Sequence, residues 1–313
     1  MSPDKRVLVT GHNGFIGRHL CSSLKENNFS VIGIGRGLTN LSYGRFLSYE
    51  IDILNKQEVS NIIQANNPQI IVHLAGGPSR QNSINDFQKY LDISQQASNN
   101  IIDAAIKLPC LEKFIFLGSC EEYGCIDPPF LESSQELPTS AYGLSKLMIT
   151  RYLQTLASIF DFPAIVLRPS IVYGPGQSKN MFLSDLINHL IENKVFNMSS
   201  GLQTREFIFI DDLIRAILLS IEAKDCNGEI INISSCSPII IKDLAKALES
   251  QILGADSNMI QFGAKDYRVG ESLSYYADNT KASRLLGWSP LISLQDGIQR
   301  TIEWKQKKIN PHY

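Results

Sequence analysis

Through the first half of the chain, short apolar runs alternate with longer stretches in which apolar residues recur every three or four positions. Val7-Leu8-Val9-Thr10, Val31-Ile32-Gly33-Ile34, Ile70-Ile71-Val72-His73-Leu74, Phe114-Ile115-Phe116-Leu117 and Ala164-Ile165-Val166-Leu167 read as buried strands. Between them the spacing is amphipathic over 56–66, 88–107 and 143–159. Strand and helix in alternation predict an α/β fold, a doubly wound parallel sheet covered on both faces.

The pattern changes after Gly174-Pro175-Gly176. From there to about Ser200 the chain reads as helix and then loop. Phe207-Ile208-Phe209-Ile210 and Ile230-Ile231-Asn232-Ile233 read as strands returning to the sheet or its edge, and 240–313 as short helices and loops around Arg268 and Trp288. The expected division is a sheet domain of 1–174 plus 207–235 and a smaller, interleaved region of 175–206 plus 236–313.

Composition narrows the class. A chain of 313 residues with 43% apolar residues can bury a full core. A net charge of −2 argues against a basic nucleic-acid footprint. The six cysteines (21, 110, 120, 125, 226, 236) form no C-x-x-C pair, so reduced thiols are expected, not a disulfide frame or zinc site. No apolar run reaches membrane-spanning length and no signal peptide stands at the start, so the expectation is a cytoplasmic protein without membrane or nucleic-acid partners.

Chemistry enters where the first strand meets Gly11-His12-Asn13-Gly14-Phe15-Ile16-Gly17 and a helical pattern follows. The first glycine permits a sharp turn, the second lets backbone approach a pyrophosphate, and the third lets helix pack on strand. The helix N-terminus offers N–H groups and partial positive charge to phosphates. This is the arrangement of a Rossmann-type dinucleotide site, with hydride chemistry implied. Tyr142 and Lys146 are four apart and share a helix face, where an ammonium would lower the phenol's pKa and could reach a cofactor ribose. Ser119 follows the strand that ends at Leu117, and ligands in open α/β sheets bind beyond strand carboxyl ends. His73 reads as a packed residue at a strand end, and His12 as a residue that could line the phosphates.

These pieces resemble, in order, the extended short-chain dehydrogenase/reductase family, in its branch acting on nucleotide-activated sugars. The matching motifs are Thr10-Gly11-x-x-Gly14-Phe15-Ile16-Gly17, Asp52-Ile53, His73-Leu74-Ala75-Gly76, Ser119…Tyr123-Gly124 and Tyr142-x-x-x-Lys146. They continue through Leu167-Arg168-Pro169…Val172-Tyr173-Gly174-Pro175-Gly176, Arg205-Glu206-Phe207…Asp211-Asp212 and Arg268-Val269-Gly270-Glu271…Lys281…Leu286-Gly287-Trp288. The resemblance implies a catalytic set of Ser119, Tyr142 and Lys146. It implies cofactor contacts from Gly11, Asn13, Gly14, Phe15, Ile16 and Gly17, from Asp52 and Ile53 beside adenine, and from Leu74, Ala75, Gly76 and Lys146. Arg205 and Arg268 would bind the phosphates of a nucleotide-sugar substrate, a role that suits a planar guanidinium fork. A homodimer through the helices near 88–107 and 143–159 is implied as well.

NAD users carry an acidic residue after the second strand, whereas this chain has Gly33-Ile34-Gly35-Arg36-Gly37. Arg36 is therefore expected to meet a 2′-phosphate, with NADP(H) preferred and NAD(H) the alternative. The family's reactions all pass through a 4-keto hexose. Glu121 falls where dehydratases carry a catalytic glutamate, and Cys120 where many carry an acid. Glu122, before Tyr123-Gly124, resembles the ending of sugar-nucleotide 4-ketoreductases and is expected to contact substrate. Ile171 and Ser94 replace two common asparagines. The expected activity is a 4-ketoreductase of an NDP-4-keto-6-deoxyhexose. The alternatives are a 4-epimerase, a 4,6-dehydratase and a non-catalytic dinucleotide-binding scaffold.

Overall fold

The computed structural model describes residues 5–37, 44–77, 83–267 and 272–309. Its first half runs β1 (Arg6–Thr10), α1 (Phe15–Glu26), β2 (Ser30–Gly35), β3 (Phe46–Glu50), α2 (Lys56–Asn66), β4 (Ile70–His73), α3 (Ile84–Ala105), β5 (Lys113–Leu117), α4 (Ala141–Phe160) and β6 (Ala164–Pro169). After these come β7 (Ile171–Tyr173), α5 (Phe182–Ile191), β8 (Phe196–Met198), β9 (Thr204–Arg205), β10 (Phe207–Phe209), α6 (Ile210–Glu222) and β11 (Ile230–Ile233). The chain closes with β12 (Ile239–Ile240), α7 (Ile241–Leu253), β13 (Ile260–Phe262), β14 (Ser274–Tyr275), α8 (Thr280–Leu286) and α9 (Leu294–Ile309).

Seven strands form one parallel sheet in the order β11-β6-β5-β4-β1-β2-β3. The expected doubly wound α/β sheet is thus present. Successive side chains of a strand point to opposite faces, so Val7, Val9, Ile70, Val72, Ile115 and Leu117 meet α1 and α6, through Leu20, Leu24, Leu213 and Ile217. Leu8, Ile71, Phe114 and Phe116 meet α2, α3 and α4, through Ile63, Ile101 and Leu153. Strand order reverses between β1 and β4, and their carboxyl ends open the crevice where a ligand is expected.

Four elements differ from the sequence reading. β3 was not foreseen because its run, Phe46-Leu47-Ser48-Tyr49-Glu50, mixes polar and apolar residues as an edge strand can. β10 does not rejoin the large sheet but pairs with β7, whereas β11 takes the sheet edge beside β6. The tail holds two substantial helices, α7 of 13 residues and α9 of 16. In α9 the buried face includes Thr301 and Lys305 beside Ile298 and Ile302, so its apolar periodicity is interrupted. Lys305 Nζ reaches Asn188 Oδ1 at 2.6 Å and Ser184 Oγ at 3.0 Å, which satisfies the ammonium between α5 and α9. Burial lowers its pKa to about 8. Trp288 donates to the Asp212 carbonyl, and the Asp212 carboxylate accepts from Leu291 and Ile292, fastening the loop after α8 to the start of α6. No described helix is long and apolar enough to cross a membrane.

Candidate active site

The loop after β1 has the form a pyrophosphate cradle requires. Gly11 turns with φ +69°, a left-handed conformation that favours glycine. A Cβ on Gly17 would collide with the Gly11 carbonyl and the His12 backbone. Gly14 opens α1 without a side-chain cap, leaving Phe15, Ile16 and Gly17 at the positive end of a 12-residue helix. These features fit a dinucleotide. Asn13 braces the loop by donating to the Arg36 carbonyl and, at 3.1 Å, to that of Gly37. His12 packs its ring on Gly33 and, at 5.9 Å, on Phe46.

The floor of the crevice is fixed by a buried relay. Thr10 Oγ1 accepts from Leu74 N at 3.1 Å and Ala75 N at 3.0 Å, so its own proton goes to His73 Nδ1 at 2.7 Å. His73 then donates from Nε2 to Ser98 at 3.0 Å. Burial, followed by the charge of Lys146, pushes the His73 pKa down to about 3, which keeps the ring neutral in this strut. It is the packed residue that the sequence indicates. The Leu74-Ala75-Gly76 segment links the two halves of the site. A Cβ on Gly11 would lie 3.3 Å from Ala75 N, and one on Gly76 would lie 3.9 Å from Lys146 Nζ. Beyond β3, Asn100 donates to the carbonyls of Ile53 at 2.9 Å and Leu54 at 3.0 Å. Asp52 is exposed and accepts from Leu54 N. Arg36 is exposed at the end of β2, and Glu50 accepts from Gly37 N at 3.2 Å.

Past β5 the chain turns at Ser119 into a short 3₁₀ turn, Cys120–Glu122. Ser119 Oγ accepts from Glu121 N at 3.1 Å and lies within hydrogen-bonding reach of Tyr142. Ser140 caps α4, accepting from Gly143 N at 2.9 Å and donating to Glu121 Oε2 at 3.0 Å. One turn into α4, Lys146 Nζ donates to the Leu117 carbonyl at 2.8 Å and lies 4.7 Å from the Phe116 ring centroid and 5.8 Å from that of Tyr142. Serine, tyrosine, lysine and Glu121 therefore converge.

The electrostatics correct one expectation. The Tyr142 pKa is raised, not lowered: burial dominates, the Glu121 charge and Tyr90 add to it, and the Ser119 contact opposes. Lys146 donates one of its three N–H groups to the Leu117 carbonyl, and burial pulls its own pKa down to about 8 against the attraction of Glu122. A second correction concerns Glu122, expected to touch substrate. It is wholly buried, and Oε2 faces Arg168, 2.9 Å from Nε and 2.7 Å from Nη2. Residues 119–122 turn through the 3₁₀ segment, which sends Glu121 to Ser140 at the start of α4, near Tyr142, and Glu122 into the core.

Two phenols that the sequence reading missed complete the surroundings. Tyr90 of α3 donates to the Gly77 carbonyl at 2.7 Å and is within reach of Ser94 and Ser145. Its helical spacing to Ser94 was a usable signal. Tyr275 of β14 packs on Phe130, feels the charges of Glu121 and Tyr142, and its ring lies 5.9 Å from the Arg205 guanidinium. Parallel pairing of β14 with β9 sets Tyr275 beside Arg205, across seventy residues, and no local pattern announces it. The neighbouring Glu206 is buried and accepts from Ser234 Oγ at 2.8 Å and Ala277 N at 3.1 Å, which anchors Arg205. Arg268 lies outside the described residues. Ile171 is half-buried in β7.

A family profile, "NAD dependent epimerase/dehydratase family", matches residues 7–234. The chain is 30% identical to the dTDP-D-glucose 4,6-dehydratase of Homo sapiens, with 98% of this chain and 91% of the relative aligned. It is 27% identical to the dTDP-4-dehydro-6-deoxyglucose reductase of Escherichia coli, over 95% and 96% of the two chains. Its fold superposes with a TM-score of 0.88 on the UDP-glucuronic acid 4-epimerase of Bacillus cereus in complex with UDP-glucuronic acid and NAD, at 31% identity, covering 97% and 99%.

Proposed function

The chain belongs to the NAD dependent epimerase/dehydratase family of nicotinamide-dependent enzymes, and on that premise we propose that it is an NADP(H)-dependent reductase acting at C4 of an NDP-4-keto-6-deoxyhexose. The observation that carries this reading is the disposition of the three residues that follow Ser119. Glu121 accepts from Ser140 and lies near enough for its charge to raise the Tyr142 pKa, Glu122 turns to Arg168, and Cys120 is a buried thiol whose pKa burial pushes well up. Dehydration needs a base at C5 and a separate acid for the departing hydroxide, and Cys120 stands where the acid would be. Reduction needs a single proton donor, and the raised pKa keeps Tyr142 protonated.

A bound nicotinamide dinucleotide supplies the hydride. Tyr142 gives its proton to the oxygen at C4, Ser119 holds that oxygen and shares the phenol's proton, and Lys146 lies beneath the ring. Arg205, beside Tyr275, and Arg268 grip the diphosphate of the nucleotide sugar. Arg36 meets the 2′-phosphate of the cofactor, while Glu50 is occupied by Gly37 N–H. Residues 1–174 plus 207–235 serve the cofactor and the remainder the nucleotide sugar.

The test is a panel of dTDP-4-keto-6-deoxyglucose, dTDP-glucose and UDP-glucose, with the UDP, GDP and CDP counterparts, each assayed with NADPH and with NADH at 340 nm. Stoichiometric NADPH consumption by a 4-keto-6-deoxy sugar is the expected result. Interconversion of UDP-glucose and its C4 epimer on retained oxidised cofactor would establish the epimerase instead. Formation of a 4-keto product from dTDP-glucose would establish the dehydratase.

A further inference from the structure

Resting on the reading of Ser119 and Tyr142 as an acting pair, we propose that Glu122, clamped by Arg168, is a positioning residue that fixes Ser119 against Tyr142. Ser119 N donates to Glu122 Oε1 at 2.9 Å, closing a capping box. The other carboxylate oxygen takes both Nε and Nη2 of Arg168. Arg168 Nη2 also reaches Glu136 Oε1 at 2.9 Å, and Glu136 meets Arg151 at the surface at 2.5 Å. The charges alternate in sign from solvent to the Ser119 amide. The guanidinium is fully buried and lies 4.6 Å from the Tyr123 ring centroid, while the Arg168 carbonyl accepts from Cys120 Sγ.

Two arguments separate this arrangement from ordinary core packing. A well-packed apolar pair commonly stabilises a core as well as a buried ion pair does. What the ion pair adds here is an immobile acceptor aimed at one amide. The chain is also shaped to receive that acceptor: a Cβ on Gly118 would collide with Glu122 Oε1. With its amide pinned and its Oγ accepting from Glu121 N, Ser119 keeps its hydroxyl at Tyr142. A freely rotating Ser119 turn would lose that geometry, and small misplacements of a catalytic group are costly.

The experiment compares wild type with E122M/R168M, E122Q and S119A. The readouts are thermal midpoint, NADPH affinity, hydrogen–deuterium exchange of the 118–123 segment, and kcat and KM on whichever panel sugar nucleotide the wild type turns over fastest. The double replacement removes both charges together and so leaves neither buried without its partner. It is expected to leave NADPH affinity and KM within about twofold, to speed exchange at Ser119, and to lower kcat by about tenfold or more. A folded double variant with wild-type exchange and kcat overturns the proposal. So does a kcat loss no larger than the loss of folded protein. Should the double variant fail to fold, E122Q is read in the same way, because its one amide oxygen cannot serve both the Ser119 amide and Arg168. If S119A turns over like wild type, the reading of the site fails together with this inference. If S119A is inactive and the Glu122 variants are normal, only the inference fails.

Discussion

Tyr142 is pulled in two directions. The Ser119 contact favours the phenolate, whereas burial and Glu121 favour the phenol and prevail. Tyr142→Phe removes the proton donor and is expected to lower kcat by about a hundredfold or more, with NADPH affinity unchanged by isothermal titration. Glu121→Gln tests the electrostatics. Reduction needs the protonated phenol, so an alkaline limb that lies above the Lys146 pKa of about 8 and persists in Lys146→Met marks the Tyr142 pKa. Removing the negative charge lowers that pKa, and the limb moves to lower pH; a limb that stays or moves upward contradicts the assignment. Arg36→Ala is expected to weaken NADPH about tenfold and leave NADH unaffected, and tighter NADH binding by the wild type would refute the choice of cofactor. Ser119, Tyr142 and Lys146 were readable because one helical turn and one strand end determine where they meet. The orientation of Glu122 was not, because consecutive glutamates look alike until the 3₁₀ turn sends one to Ser140 and the other to Arg168.

α4 presents both Tyr142 and Lys146, so its first turn controls the site. Ser140→Ala removes the cap on Gly143 N and the hydroxyl bonded to Glu121. The expected loss is about 1 kcal/mol, seen in calorimetry as a midpoint lower by about 2 °C. An unchanged midpoint would show that the cap contributes nothing. α2 was legible to its ends, 56–66, because Val59 and Ile63 face the sheet with Asn55 as a side-chain cap. β3 and α9 were not. An edge strand need not be apolar, and Lys305 occupies a buried position that periodicity expects to be apolar. The short strands β7, β9, β10 and β14 take their partners from far along the chain, and local pattern carries little information about such pairings.

α3 and α4 pack together and expose Ile93 and Met148, apolar residues that a homodimer through these helices, as family resemblance implies, would cover. Sedimentation velocity is expected to give a dimer at micromolar concentration and a monomer for Ile93→Glu with Met148→Glu. A monomeric wild type would remove that assembly. The parallel sheet was foreseen as a class, since alternation of strand and helix admits few other arrangements. The partition of the later strands was not, because β10 and β11 are similar apolar runs with different destinations.

The place of β11 at the margin of the large sheet has a consequence for synthesis. β6 leaves the ribosome roughly sixty residues before the strand that closes its free side. Throughout that interval the nascent chain displays an unpaired apolar ribbon, Ala164-Ile165-Val166-Leu167, able to join a neighbouring polypeptide. Emergence of the segment around Ile230–Ile233 covers that margin and removes one place at which the growing polypeptide is open to aggregation and to capture by chaperones.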